Sequence, residues 1–135
     1  MGIVNTLGSW YFKGRKKHII NALQNFAEIQ QDTLLDLLEE GKDTVFGKAH
    51  LLEDIRNYPE FKAQVPLFTY EEFYPFIEEM LEGKQHVAWS TPINWFAKSS
   101  GTTNAKSKFI PISYENLENC HFQGAKDLLA VHYTR

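Results

Sequence analysis

A chain of 135 residues with 43% apolar and 14% aromatic side chains is no disordered polymer, and as one domain it would bury roughly two thirds of its unfolded surface. Fourteen Lys and Arg against 17 Asp and Glu leave a net charge of -3 and a pI near 5.9, which supplies no broad cationic face for nucleic acid. The single cysteine, Cys120, excludes an internal disulfide, and no apolar run approaches the roughly 20 residues that span a bilayer, so a cytoplasmic, reducing setting is expected.

The chain opens Met1-Gly2-Ile3-Val4-Asn5-Thr6, which fits the myristoylation pattern M-G-x-x-x-[ST]. The basic stretch Lys13-Gly14-Arg15-Lys16-Lys17 would add the second signal that one acyl chain needs. The plainer reading is a leading segment whose Trp10, Tyr11 and Phe12 pack on the protein. A secretory signal does not fit, because the charges follow the apolar residues.

Over residues 16–40, Ile20, Leu23, Ala27, Leu34, Leu37 and Leu38 recur near helical spacing, with Gly41 as a stop. Asn25 and Glu28 have capping-box character, so one helix or two satisfy the pattern. Residues 42–68, with Gly47, Pro59 and Pro66, read as irregular, with helical turns at 51–56 and 60–64. Thr69 with Glu72 starts another helix, and Pro75 predicts its division into a turn over 70–74 and a helix over 75–81 ending at Gly83. Glu78, Glu79 and Glu82 form its solvated face. Residues 94–98 and 108–112 read as strands, Pro111 placing the second at an edge or strand end. Ser113 then caps a helix whose apolar face carries Leu117, Cys120, Gly124, Leu128 and Val131, with Cys120 a small core residue. The histidines His18, His50, His86, His121 and His132 show no metal-ligand spacing, and no metal site is expected.

Chemistry concentrates between the two strands, in Ser99-Ser100-Gly101-Thr102-Thr103-Asn104-Ala105-Lys106-Ser107-Lys108. Backbone N–H groups in a tight turn make an anion-binding concavity, and hydroxyls and ammonium groups strengthen it. A polyphosphate is the ligand such a loop suits. The pattern G-x-x-x-x-G-K-[ST] is not met, since no second glycine precedes Lys106. An ordinary polar turn would use the same small residues for local reasons.

The spacing from Ser99 to Lys108 resembles the phosphate loop of the GH3 (auxin-responsive promoter) family of acyl-acid amido synthetases, in the acyl-adenylate-forming superfamily. Val65-Pro66-Leu67-Phe68-Thr69-Tyr70-Glu71, Tyr74-Pro75-Phe76-Ile77-Glu78 and Trp95-Phe96-Ala97-Lys98 resemble the family's leading segments in the same order. The likeness covers roughly residues 40–135 and departs at Ala105 and Lys106, where the family has glycine and an acidic residue. That makes the loop tip stiffer and more positive.

The resemblance implies an α/β fold, of which this chain holds a helical entry segment (1–83), the first hairpin with the phosphate loop (94–112) and a helix (113–133). The run ending His132-Tyr133-Thr134-Arg135 carries no helix-stop signal, so the chain is read as the truncated N-terminal part of a larger adenylate-forming domain. It further implies ATP, with Mg2+, as cofactor, and a carboxylic acid and an amine or amino acid as partners. Ser99, Ser100, Gly101, Thr102, Thr103 and Lys108 would hold the phosphates, with no catalytic residue assigned and the piece by itself inactive. The reading from another class is a noncatalytic membrane-apposed or protein-interaction module built on Gly2 and residues 13–17.

Overall fold

The computed structural model describes the backbone of residues 3–99 and 107–134, with side chains from Phe12 onward. In chain order the elements are α1 (Ile3–Gln24), α2 (Phe26–Gly41), α3 (Val45–Ala49), a 3-10 turn (Leu52–Asp54), α4 (Tyr58–Gln64), α5 (Tyr70–Leu81), β1 (Trp95–Lys98), β2 (Phe109–Ile112), a π-wound segment (Asn116–Phe122) and α6 (Gln123–Tyr133). Strand structure among the described residues is one antiparallel hairpin. The chain is therefore mostly helical, and the α/β expectation holds only as its helical entry and hairpin. Two compact units divide it, residues 31–114 and residues 1–30 with 115–135.

Within 31–114, α5 organises the packing. Thr69 accepts the Glu72 N–H at 3.2 Å, while the Glu72 carboxylate accepts the Thr69 N–H at 2.7 Å and its hydroxyl at 2.8 Å. The expected capping box is thus complete, and helix-end donors that would otherwise lack partners are satisfied. The division at Pro75 does not occur, because one helix runs from Tyr70 to Leu81 with the proline inside it. Proline offers no N–H to the Glu71 carbonyl, at a cost of about 3 kcal/mol. Burial of Ile77 and Met80, with Phe73 and Phe76 packed beside them, is worth about 1.5–3 kcal/mol for each fully buried side chain and outweighs it. At the far end Gly83 takes φ +91, its N–H donates to the Met80 carbonyl, and the Lys84 N–H donates to that of Glu79. This double bond pattern requires a left-handed residue, hence glycine.

Helix α3 lay in a stretch expected to be irregular. Buried Thr44 accepts the Gly47 N–H at 2.9 Å and donates to the Gly41 carbonyl at 2.7 Å. The Val45 and Phe46 N–H groups donate to the His86 and Val87 carbonyls at 2.9 and 2.8 Å. Five residues cannot nucleate a helix alone; these distant carbonyls make it possible. The expected turns at 51–56 and 60–64 appear as the 3-10 turn and α4, which Asn57 caps through the Glu60 N–H.

One core cluster joins Ile77, Met80, Val87 and Ile93 to Phe96 and Phe109. A second joins Leu38, Leu52 and Ile55 to Leu34, Phe46 and Phe61. Phe46 connects them, with its ring 5.7 and 5.5 Å from those of Phe73 and Phe76. The hairpin pairs Trp95 with Ile112, Phe96 with Pro111, Ala97 with Ile110 and Lys98 with Phe109. Beyond it, the Ser99 N–H donates to the Lys108 carbonyl at 2.9 Å. Antiparallel alternation then turns the backbone groups of Phe109 and Pro111 away from β1, so the missing proline N–H costs the ladder nothing.

In the other unit, the break at Asn25 is a bend. Backbone bonds Asn25 to Asn21 and Ile29 to Asn25 carry the helical pattern through it, and the Asn25 amide reaches back to the Asn21 carbonyl and side chain at 3.1 and 3.0 Å. The apolar positions that gave α1 and α2 their helical spacing are largely exposed, in this unit and in residues 31–114 alike. Ile20, Leu23 and Leu37 are exposed, and of that set only Leu34 and Leu38 pack. The last helix also buries a different face from the expected one, and its first turns are π-wound. Leu128, Val131 and Cys120 are exposed, whereas Gln123, Asp127, Ala130 and Thr134 turn inward. The partner on α1 is polar: Arg15 pairs with Asp127, Lys16 donates to the Thr134 carbonyl at 2.8 Å, and Phe12 stacks on Tyr133 at 5.4 Å.

Candidate phosphate-loop site

The hairpin brings the two ends of the Ser/Thr loop together. Besides the Ser99–Lys108 backbone bond, the Lys108 N–H donates to Ser99 Oγ at 3.0 Å. One serine therefore closes the mouth through both its backbone and its side chain, in place of a further ladder rung. Of the residues expected to hold phosphate, Ser99 and Lys108 meet here; Ser100, Gly101, Thr102 and Thr103 lie outside the described residues.

Lys108 is placed by α5. Its Nζ stands 3.2 Å from Glu71 Oε1 and 4.6 Å from the centre of the Tyr70 ring. Both partners lie in the first helical turn, set at that point by the Thr69 cap. The Tyr70 hydroxyl accepts the Phe109 N–H at 2.9 Å and donates to the Phe109 carbonyl at 3.3 Å. These are the backbone groups that β2 turns away from β1, so Tyr70 occupies the outer edge of the strand one residue past the loop. A second ammonium, Lys98 Nζ, stands 5.8 Å from the Phe109 ring centre.

The electrostatics match this geometry. The Glu71 backbone N–H at the helix start, and then the Lys108 ammonium, hold the Glu71 carboxyl below its ordinary range. Glu72 is lowered by the Thr69 backbone N–H and hydroxyl. The mouth therefore holds the Lys108 side chain beside the Glu71 carboxylate at the start of α5. Tyr70 and Glu71 escaped the sequence reading. The capping box marked their helix position, but nothing in the order of residues showed that this turn meets Lys108, 37 positions on.

Other candidate features are differently placed. Gly2 lies outside the described residues, and Arg15 and Lys16 of the basic stretch are engaged with Asp127 and Thr134. No helix among the described residues is long and apolar enough to cross a membrane. Among those residues no group of three or more His, Cys, Asp or Glu side chains is arranged to hold a metal.

Comparison with known proteins gives concordant results. The family profile described as the GH3 family N-terminal domain matches residues 15–134. An indole-3-acetic acid-amido synthetase, GH3.6 of Arabidopsis thaliana, is 32% identical over 107 residues, covering 78% of this chain and 18% of the relative. The jasmonoyl-L-amino acid synthetase JAR4 of Nicotiana attenuata is 31% identical over 93 residues, covering 68% and 16%. The solved structure of the acyl acid amido synthetase AtGH3.15 in complex with 2,4-DB superposes with a TM-score of 0.80 at 24% identity, over 90% of this chain and 21% of that one. The chain thus spans about a fifth of the length of the relatives it matches.

Proposed function

The chain belongs to the GH3 family, and we propose that its segment 99–108 is the phosphate-holding loop of an amide-forming ligase. The complete enzyme would activate a carboxylic acid with ATP and pass the acyl group to an amine or amino acid. In the first step a carboxylate oxygen attacks the α-phosphorus in line, forming the acyl-adenylate as pyrophosphate leaves. In the second the amine nitrogen attacks the acyl carbon, and AMP and a proton leave. The relatives' names carry indole-3-acetic acid and jasmonate; for this chain the proposal stops at the class of acid and amine.

The observation that supports the reading most is the oriented Lys108 ammonium at a loop mouth closed by Ser99. In-line displacement needs the departing pyrophosphate held still and its charge offset, which is positioning and electrostatics rather than covalent catalysis. Ser99, Ser100, Gly101, Thr102 and Thr103 would supply hydroxyl and backbone donors, and Lys108 the charge. Mg2+ would arrive with the triphosphate and lessen its repulsion.

Three or four charge-assisted bonds of about 1.5–3 kcal/mol each give about 4.5–12 kcal/mol. Association and ordering cost about 4–15 kcal/mol. The 135-residue chain should therefore bind ATP at about millimolar Kd or weaker, with pyrophosphate close behind, and should not catalyse exchange. Phosphorus NMR titration of the chain checks the binding. In a full-length synthetase carrying this segment, Thr102→Ala or Lys108→Ala should lower ATP–pyrophosphate exchange by orders of magnitude with the fold intact. Parental exchange in both variants would sink the adenylation reading.

A further inference from the structure

We propose that Tyr70 is the positioning residue for Lys108, setting the lysine through two contacts at once. Its hydroxyl pins the strand, accepting the Phe109 N–H at 2.9 Å and donating to the Phe109 carbonyl at 3.3 Å. Its ring face receives the Lys108 ammonium at 4.6 Å. The inference rests on the phosphate-holding reading of Lys108 for its functional meaning, but the positioning is testable without phosphate.

A lysine on an exposed strand end has four rotatable side-chain bonds and ordinarily samples many orientations, and freezing them on binding costs free energy. Here the backbone is fixed on both sides, by Ser99 at Lys108 itself and by Tyr70 at Phe109. The aromatic face then restricts the ammonium by its attraction for cations. Glu71 Oε1, 3.2 Å from Nζ, completes the hold from the next position of the same helical turn. Tyr70 is itself fixed: it stands in the first turn of the capped helix α5, packs against the core around Ile77 and Met80, and meets Tyr74 at 5.9 Å between ring centres. The capped helix thus transmits its position to the one loop cation whose place the structure defines. Phosphate binding then draws on a lysine already confined.

The test compares the 135-residue chain with Tyr70→Phe and Tyr70→Leu, using proton and carbon NMR of the Lys108 side chain and inorganic pyrophosphate as probe. In the parent chain the Lys108 ε-protons should be shifted upfield by the Tyr70 ring. Tyr70→Phe keeps the ring but loses the strand anchor, so the Phe109 amide should exchange faster. Tyr70→Leu should return the ε-protons to random-coil positions, leave those of Lys98 unmoved, and weaken pyrophosphate binding about threefold, as an exposed cation–π contact permits. A merely structural role for Tyr70 would not move Lys108 selectively. Random-coil Lys108 shifts in the parent chain, or parental shifts and affinity in Tyr70→Leu, overturn the positioning inference. Parental upfield shifts that vanish in Tyr70→Leu, without any pyrophosphate binding, uphold the placement of the lysine and overturn the phosphate reading alone.

Discussion

Asp127 shows how one charged residue decides which face of a helix turns inward. The Arg15 guanidinium holds its carboxyl below the ordinary carboxylate range, against a smaller opposing effect of burial. A carboxyl whose folded-state pKa is depressed contributes stability that is present above its unfolded pKa and lost as pH falls through the folded one. Unfolding by urea at a series of pH values should therefore show Asp127→Asn less stable than the parent at neutral pH. The gap should close below the ordinary carboxylate range, where the parent's aspartate is protonated too. A pH-independent gap would mean that Asp127 acts through packing alone. The apolar spacing that included Cys120, Leu128 and Val131 predicted a different face, and at those positions it failed because hydrophobic periodicity counts only apolar partners. The neighbour on α1 offers Arg15 and Lys16, and no pattern within one helix reveals that.

At the scale of elements, α3 exists because backbone meets backbone closely. A Cβ built on Gly47 would lie 2.0 Å from the Gly41 carbonyl oxygen and 2.7 Å from that of Lys42. Neither is the yielding end of a side chain. Gly47→Ala should cost at least about 3 kcal/mol, the upper end of overpacking effects, measured as a drop in the urea midpoint at unchanged m. A loss under 1 kcal/mol, set against the about 1–3 kcal/mol typical of overpacking, would show that the α2–α3 corner opens readily. The hairpin is the contrasting case, because its two strands were legible as apolar runs flanking a Gly- and Ser-containing stretch, while its register, Lys98 opposite Phe109, came only with the structure. What stayed hidden was the capping of its outer edge. Tyr70 takes the Phe109 backbone groups and Pro111 has no N–H, so β2 presents little to another strand, whereas the corresponding groups of Phe96 and Lys98 on β1 face outward with none of the hairpin's bonds.

For the molecule as a whole, the apolar side chains left in water are the main consequence. Leu23, Phe26 and Leu128 are 72%, 62% and 72% exposed within one unit, and Leu67 in the other is fully exposed. Isolated exposed apolar residues are ordinary, but so many large ones mark surface that associates. Sedimentation velocity of the 135-residue chain should show concentration-dependent self-association, weakened by Leu23→Glu with Leu128→Glu. A strictly monomeric parent would refute this.

By itself the sequence determined the family, the capped start of α5 at Thr69 and the strands on either side of residues 99–108. Each of these is written locally, in residues within a few positions of one another: a hydroxyl three residues before a glutamate, or small polar residues between apolar runs. Only the tertiary structure decided that α5 runs through Pro75, that Thr44 starts a helix against His86 and Val87, and that Tyr70 and Glu71 hold Lys108. The reason is physical. A burial gain from Ile77 and Met80 can exceed a proline's local cost, and a carbonyl 41 positions away can complete a helix too short to form alone. Such energies depend on which surfaces meet, and that is settled only when the chain folds.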